Sequence, residues 1–328
     1  MPEMTLIEFG TNGEQSPLTR RGIARMTCLW LCLAACPAFA ADTYRLDEPV
    51  DDARVYGVAM RLDVNGKVQT RREDNKNVDL PLNVAAALSY RERRLLGLGA
   101  GAEELRAVRE YEQAQVDIEV ADETSSTRLP EALKLMVAQG RTSGLELYSL
   151  GGLLSAQELE LVSPPCDSLG FIALLPNADV EVGEEWTAAS WAGQFLARLE
   201  AATESEVKCR LASVSNDVAK VTFRGTVKGA VQGTPSELTL TGSLDYDLKQ
   251  KCIASAELQQ TEKRAIGAVS PGLDVQARMR LLRKPAQVPG RVADANVLAI
   301  AVQEAPESAL KVRFESPWNL SLLLHRDW

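Results

Sequence analysis

Apolar and polar side chains alternate most regularly between residues 206 and 284. Ala219, Val221, Phe223 and Val227 alternate with Lys220, Thr222, Arg224, Thr226 and Lys228. Leu238, Leu240, Leu244, Tyr246 and Leu248 interleave with Glu, Thr, Ser and Asp, and Leu273, Val275, Ala277, Met279 and Leu281 with Asp274, Gln276, Arg278 and Arg280. A strand turns successive side chains to opposite faces, so period two sustained this long predicts strands with one buried and one wet face. Residues 252–258 and 207–214 add two more. The separators 229–236 and 268–272 carry the Gly and Pro of turns. Five consecutive strands with short connections predict an antiparallel meander.

The first half is less regular. Residues 55–64, 68–72, 78–84, 116–120 and 133–137 read as strands, with Asn65-Gly66 as a hairpin turn between the first two. Residues 102–115 place Leu105, Val108 and Tyr111 three apart among Glu and Arg, which predicts an amphipathic helix of about four turns. A meander must cover its apolar face, and this helix is the candidate cover. The expected class is therefore mainly β or α+β: antiparallel meander sheets, curved as a half-barrel, with one or two covering helices.

The β-rich region spans 41–284. Leu-x-Tyr followed by basic residues occurs at both 88–95 and 244–251, the pattern of two similar halves, about 44–175 and 186–284. The connector LLPNADVEVGEEW (174–186) joins them with a turn at Gly183. Beyond it, Pro285, Pro289, Pro306 and Pro317 punctuate a tail, 285–328, in which Leu310, Val312 and Phe314 alternate and 318–324 is apolar. Either that last run docks as a strand of the sheet, or the reading frame is a truncated version of a longer one.

Residues 1–40 form a separate unit of sequence. After an unpatterned extension (1–18), Arg20, Arg21 and Arg25 precede an apolar stretch, 26–35, and Ala38 and Ala40 give a small-x-small exit. These are the three parts of a secretory signal peptide cleaved after Ala40, although Met26 offers an alternative start. Leu33-Ala34-Ala35-Cys36 also has the form of a lipoprotein box, which would place a lipid on Cys36. Pro37 and the short apolar stretch count against it. The apolar run is well short of the roughly 20 residues a membrane span requires. The expectation is an exported protein, periplasmic or extracellular, membrane-associated only if Cys36 is lipidated.

Composition narrows the partners. A net charge of −9 argues against nucleic acid and anionic surfaces. Aromatics at 5% count against a carbohydrate-stacking platform. Of six cysteines, Cys28, Cys32 and Cys36 lie in the export segment, which leaves Cys166, Cys209 and Cys252 and at least one unpaired thiol. Cys209 and Cys252 both fall in predicted strands of one region and are the disulfide candidates, with three buried thiols as the alternative.

Catalytic signatures are sparse. His325 is the single histidine and sits on the last predicted strand, a poor place for a rigidly held base; histidine metal clusters are excluded by count. Gly97-Leu98-Gly99-Ala100-Gly101-Ala102 has the spacing of a dinucleotide loop, with Asp122 further on. Residues 91–94 are too charged for the buried parallel strand that must precede such a loop, however. Ser205 to Lys208 and Ser308 to Lys311 match Ser-x-x-Lys only within strand patterns. Asp179, Glu181, Glu184 and Glu185 surround Gly183 without calcium-loop spacing. No cofactor or metal is expected.

Residues 109–114 running into a strand, the 174–186 connector and the strand start at 271–275 resemble an uncharacterised family of secreted bacterial β-rich proteins. The likeness extends over 50–328 and implies no activity. In that family a segment similar to SPWNLSLLLHRDW leads into a further C-terminal domain. A curved sheet with helices over its apolar face is also similar in architecture to periplasmic lipoprotein carriers of the LolA/LolB type. The functional expectation is a non-enzymatic cell-envelope protein binding an apolar, lipid-like ligand or an envelope protein partner. Phe223, Leu240, Leu244, Tyr246 and Met279 either line its cavity or form its core. The alternatives are a secreted hydrolase using a carboxylate pair and a structural or assembly role.

Overall fold

Long antiparallel strands dominate the chain, because alternation lets each bury one row of side chains while the other meets water. The computed structural model describes residues 42–50, 53–72, 74–315 and 321–325. A short β1 (Thr43–Leu46) is followed by β2 (Val55–Arg71), β3 (Asn77–Leu95), β4 (Arg106–Val120), β5 (Glu123–Arg128), β6 (Leu135–Arg141), β7 (Gly144–Ser149) and β8 (Leu154–Ser155). Helices α1 (Ala156–Val162) and α2 (Ser168–Ile172) come next, then β9 (Ala178–Glu181), β10 (Glu185–Thr187) and α3 (Ala192–Ala197). The five strands that period two predicts are β11 (Ala201–Ser215), β12 (Val218–Val231), β13 (Thr234–Asp247), β14 (Cys252–Arg264) and β15 (Gly272–Pro285). The tail forms α4 (Ala295–Ala301), β16 (Lys311–Glu315) and β17 (Ser321–His325).

Twelve strands make one sheet, in the order β10-β11-β12-β13-β14-β15-β2-β3-β4-β6-β7, with β5 also beside β4. The sheet is unclosed and half-barrel-like, so the chain is mainly β with few helices. Pairing of β15 with β2, from Gly272 opposite Gln69 to Pro285 opposite Tyr56, joins the two halves of the β-rich region through one ladder. The tail strands do not extend this sheet: β16 pairs with β17 and, in parallel, with β8.

The inner face holds the main core. Every residue of α2 and α3 is buried there. α3 packs against β11 and β12 and also against β7, so the curved sheet wraps its helices. A second, smaller core lies on the opposite face, where Val108, Val137 and Tyr148 of β4, β6 and β7 meet Val292 and Ala301 of the tail. Arg106 fastens that cover. It donates to the Ala301 carbonyl at 2.7 Å, to the Gln303 carbonyl and to Gln139 Oε1, meeting acceptors at the C-terminal end of α4.

Two sequence expectations fail here for physical reasons. The amphipathic helix predicted over 102–115 is absent. A 3-10 turn at Gly101–Glu104 leads directly into β4. Residues 106–109 are buried on both sides, by the tail on one face and α2 on the other, which erases alternation and leaves an accidental three-residue spacing. Nor is Asn65-Gly66 a hairpin. β2 runs straight through it, and Gly66 is needed because a Cβ there would come within 2.6 Å of the Val275 Cα on β15.

Candidate binding cleft

Strand β3 ends in Tyr90-Arg91-Glu92-Arg93-Arg94, and alternation divides it. Tyr90, Glu92 and Arg94 continue the inward row of Ala86 and Leu88 and are buried, while Arg91 and Arg93 are only partly covered. The pleat therefore carries charged side chains into the inner face. Register supplies their partners: Glu92 stands opposite Arg109 of β4 and Tyr56 of β2, and Tyr90 opposite Tyr111.

The result is a buried ionic network. Arg109 donates from Nε to Glu92 Oε2 at 2.9 Å and from Nη2 to Ser168 Oγ at 3.1 Å, and its Nη1 lies 2.7 Å from Asp167 Oδ2. Ser168 Oγ donates to Glu92 Oε2 at 2.5 Å and lies 3.0 Å from the Tyr90 hydroxyl. Arg283 of β15 reaches Glu48 with Nη1 and lies 3.6 Å from Glu92 Oε1, its guanidinium 3.8 Å over the Tyr56 ring. Asp167 also caps α2, accepting from the Leu169 and Gly170 amides at 2.9 and 3.0 Å. These bonds pin two separate segments, Glu48 after β1 and the start of α2, onto the sheet. Burial works to raise the Glu92 carboxyl, but Arg109, Arg283 and the Ser168 hydroxyl outweigh it and hold it below its ordinary value. Tyr111 lies against the same charges, and burial pushes its phenol up to about 12.

Beside the network a cleft of about 1000 Å³ opens to solvent. Its apolar lining comes from Leu105 after the Gly-rich loop, Ile172 and Leu175 at the end of α2, and the half-exposed indoles of Trp186 and Trp191. Trp186 is held by its Nε1, which donates to the Leu174 carbonyl at 2.9 Å. Leu96, 66% exposed, stands on the rim. Arg94 also lines the cleft, only 6% exposed, with neither Nε nor Nη1 bonded to any acceptor. Burial pulls its guanidinium below the ordinary value, against the opposing charge of Glu48.

The sequence-predicted residues fall elsewhere. Phe223, Leu240, Leu244, Tyr246 and Met279 are at most 3% exposed and share the main core, where Phe223 meets the Phe171 ring of α2 at 6.2 Å. The space they would have lined is filled by helix, and none of them borders the cleft. Cys166, Cys209 and Cys252 are all free and buried, so the expected Cys209–Cys252 disulfide is not formed. β11 and β14 are separated by two strands, a distance of about 14 Å at the usual spacing, beyond the roughly 7 Å that a bridge tolerates. Burial pushes the Cys209 thiol up to about 12. The Gly97 to Gly101 loop borders the cleft but opens a 3-10 turn and strand, not the helix a dinucleotide site requires. Among the described residues, no group of three or more His, Cys, Asp or Glu is placed to hold a metal ion. The export segment, Cys36 included, lies outside the described residues.

Sequence reading missed Glu48, Glu92, Arg94, Arg109, Asp167, Ser168 and Arg283. One signal was available, since Ala86, Leu88, Tyr90, Glu92 and Arg94 continue a single period-two row. A buried strand that ends in charges announces a polar site.

Fold and cleft together define a mainly-β protein with an unclosed, half-barrel-like sheet wrapped around short helices. No protein family and no curated protein matches the chain. Among solved structures, one described as "lipid-protein interactions in lipovitellin" aligns at a TM-score of 0.39 and 7% identity, over 73% of this chain. The chain covers 26% of that one's length.

Proposed function

We propose that the protein is an exported, non-enzymatic cell-envelope protein that takes up an apolar, lipid-like ligand in the cleft between α2, β10 and the loop after β3. The observation that carries this reading is the cleft itself. It has the volume of a small-molecule site, Leu105, Ile172 and Leu175 line it, and two indoles border it. The export reading rests on the pattern of residues 1–40. Of the carboxylates that the network brings together, Glu92 and Asp167 share Arg109 and are buried.

Trp186 and Trp191 report on occupancy. A dodecyl chain brominated at its far end should quench their emission as it enters. Burying about eight methylenes at ~0.8 kcal/mol each corresponds to dissociation constants on the order of tens of micromolar. Trp186→Phe with Trp191→Phe should remove most of the quenching. If neither acidic nor neutral brominated chains quench, and no lipid accompanies the protein from its host in native mass spectrometry, the cleft is not a ligand site.

A further inference from the structure

Among the described residues, Arg94 is the one buried arginine of the network with no carboxylate in ion-pair range; Arg283 also leaves Nε and Nη2 unbonded, but it pairs with Glu48. Arg109 has Glu92, Asp167 and Ser168, and Arg283 has Glu48 and Glu92. Arg94 Nε and Nη1 have neither a carboxylate nor a carbonyl. A guanidinium removed from water without acceptors forfeits several hydrogen bonds, a cost proteins rarely bear without return. The strongest compensating charge is Glu48, whose Oε1 is committed to Arg283 and whose Oε2 accepts no bond. The remaining charges of the cleft are spoken for or peripheral. Arg45 pairs with Asp47 at 2.8 Å, and Glu104 is exposed near the rim. The cleft thus combines apolar side chains with one buried guanidinium that has no ion-pair partner among the described residues.

We infer that Arg94 receives the anionic head of a single-chain acyl lipid, whose tail lies along Leu105, Ile172, Leu175 and the two indoles. The inference rests on the lipid-like reading of this cleft and adds the ligand class to it. An arginine fork fits the oxygens of a carboxylate or a phosphate equally well, so the head chemistry shared by both is an anionic oxygen pair. A neutral head would leave the buried charge of Arg94 as uncompensated as it is in the empty cleft. The ligand therefore discharges a cost already present in the fold, and selectivity for charge follows from that.

The test compares two quenchers that differ only at the head, ω-bromododecanoate and ω-bromododecanol, with dodecyl phosphate as a competitor. The carboxylate should bind about ten- to a hundredfold more tightly than the alcohol, the range for a hydrogen bond to a charged partner. Arg94→Met should abolish that preference while leaving the alcohol's affinity within about twofold. Competition by dodecyl phosphate ranks phosphate against carboxylate as the source of the head. Thermal melting of the unliganded variant supplies the second readout. Because Nε and Nη1 have no partner to lose, Arg94→Met should melt at or above the wild-type temperature. If Arg94 instead serves the fold by pairing with Glu48, the variant melts lower and Arg94→Lys partly restores it, which overturns the inference. Equal binding of acid and alcohol by the wild-type protein also overturns it and leaves the lipid-like reading standing. Absence of quenching by both defeats the reading and the inference together. Should Arg94→Met fail to fold, the wild-type comparison of acid with alcohol still decides.

Discussion

Glu92→Gln removes the central charge of the buried network and nearly nothing else. The amide is isosteric and can still accept from Ser168, but Arg109 and Arg283 lose the carboxylate that lies between them. Arg109 retains Asp167 at 2.7 Å and Arg283 retains Glu48, so neither is left wholly unpaired. Breaking one partner out of a buried pair costs about 3–5 kcal/mol, and the retained carboxylates place this variant near the lower figure, about 3 kcal/mol. For a chain of this length, at roughly 2–4 °C per kcal/mol, the melting temperature should fall by on the order of 10 °C. Asp79→Asn is the matched control, because the Lys67–Asp79 pair at 2.7 Å has both side chains more than 40% exposed and should contribute under about 1 kcal/mol. Calorimetry or urea melts of the three proteins measure the contrast. The effect should also depend on pH. A carboxyl held below its ordinary value stabilises fully above its unfolded value near about 4.3, and that contribution is lost as pH falls through the folded value. The gap between wild type and Glu92→Gln should therefore narrow on acidification. If Glu92→Gln costs no more than Asp79→Asn at neutral pH, the cluster is hydrated and the reasoning fails.

Other parts of the fold give sharper local expectations. Arg106→Met removes the donors that hold the end of α4, so hydrogen exchange over residues 290–304 should accelerate about tenfold or more while β11 to β15 stay protected; uniform acceleration would refute this. Gly66→Ala forces a Cβ against the Asp274 carbonyl and Val275 Cα at a φ of +155°, and should cost about 2 kcal/mol or more, read from urea unfolding, whereas an unchanged midpoint would mean β2 and β15 are farther apart. Cys166, Cys209 and Cys252 should resist Ellman's reagent in the folded protein and react in denaturant, and an intact mass two units short would reveal a disulfide instead.

How much of this was legible in the sequence depended on which face each strand exposes. β11 to β15 have one wet face, so Lys220, Thr222 and Arg224 mark the alternation plainly. β4 is covered on both sides near Arg106 to Arg109, and there alternation vanishes and a helix is mimicked. The polar site was hidden for a different reason. Arg91 to Arg94 look like a solvated run, and only the pleat sorts them into the outward Arg91 and Arg93 and the inward Glu92 and Arg94. Their partners Glu48, Asp167 and Arg283 come from 44 to 191 positions away, so no local pattern could assemble them. Phe223, Leu240, Leu244, Tyr246 and Met279 are packed in the main core and do not line the cleft. That α2 and α3 would fill the inner face was not readable, because five- and six-residue helices leave almost no periodicity.

The ladder between β15 and β2 has a consequence in time. Nearly every other neighbouring pair in the main sheet is adjacent in the chain and can form as a hairpin soon after it is made. The β15 partners of β2 lie roughly 200 residues downstream. At about 5–20 residues per second, a ribosome leaves the outer backbone of β2 unpaired for roughly 10–40 s, far longer than a hairpin requires to form. For that interval a seventeen-residue strand offers its amides and carbonyls to any other chain nearby, with Gly66 making part of its surface flat. The time for which this edge of β2 stays open is thus set by how far behind it β15 follows in the chain.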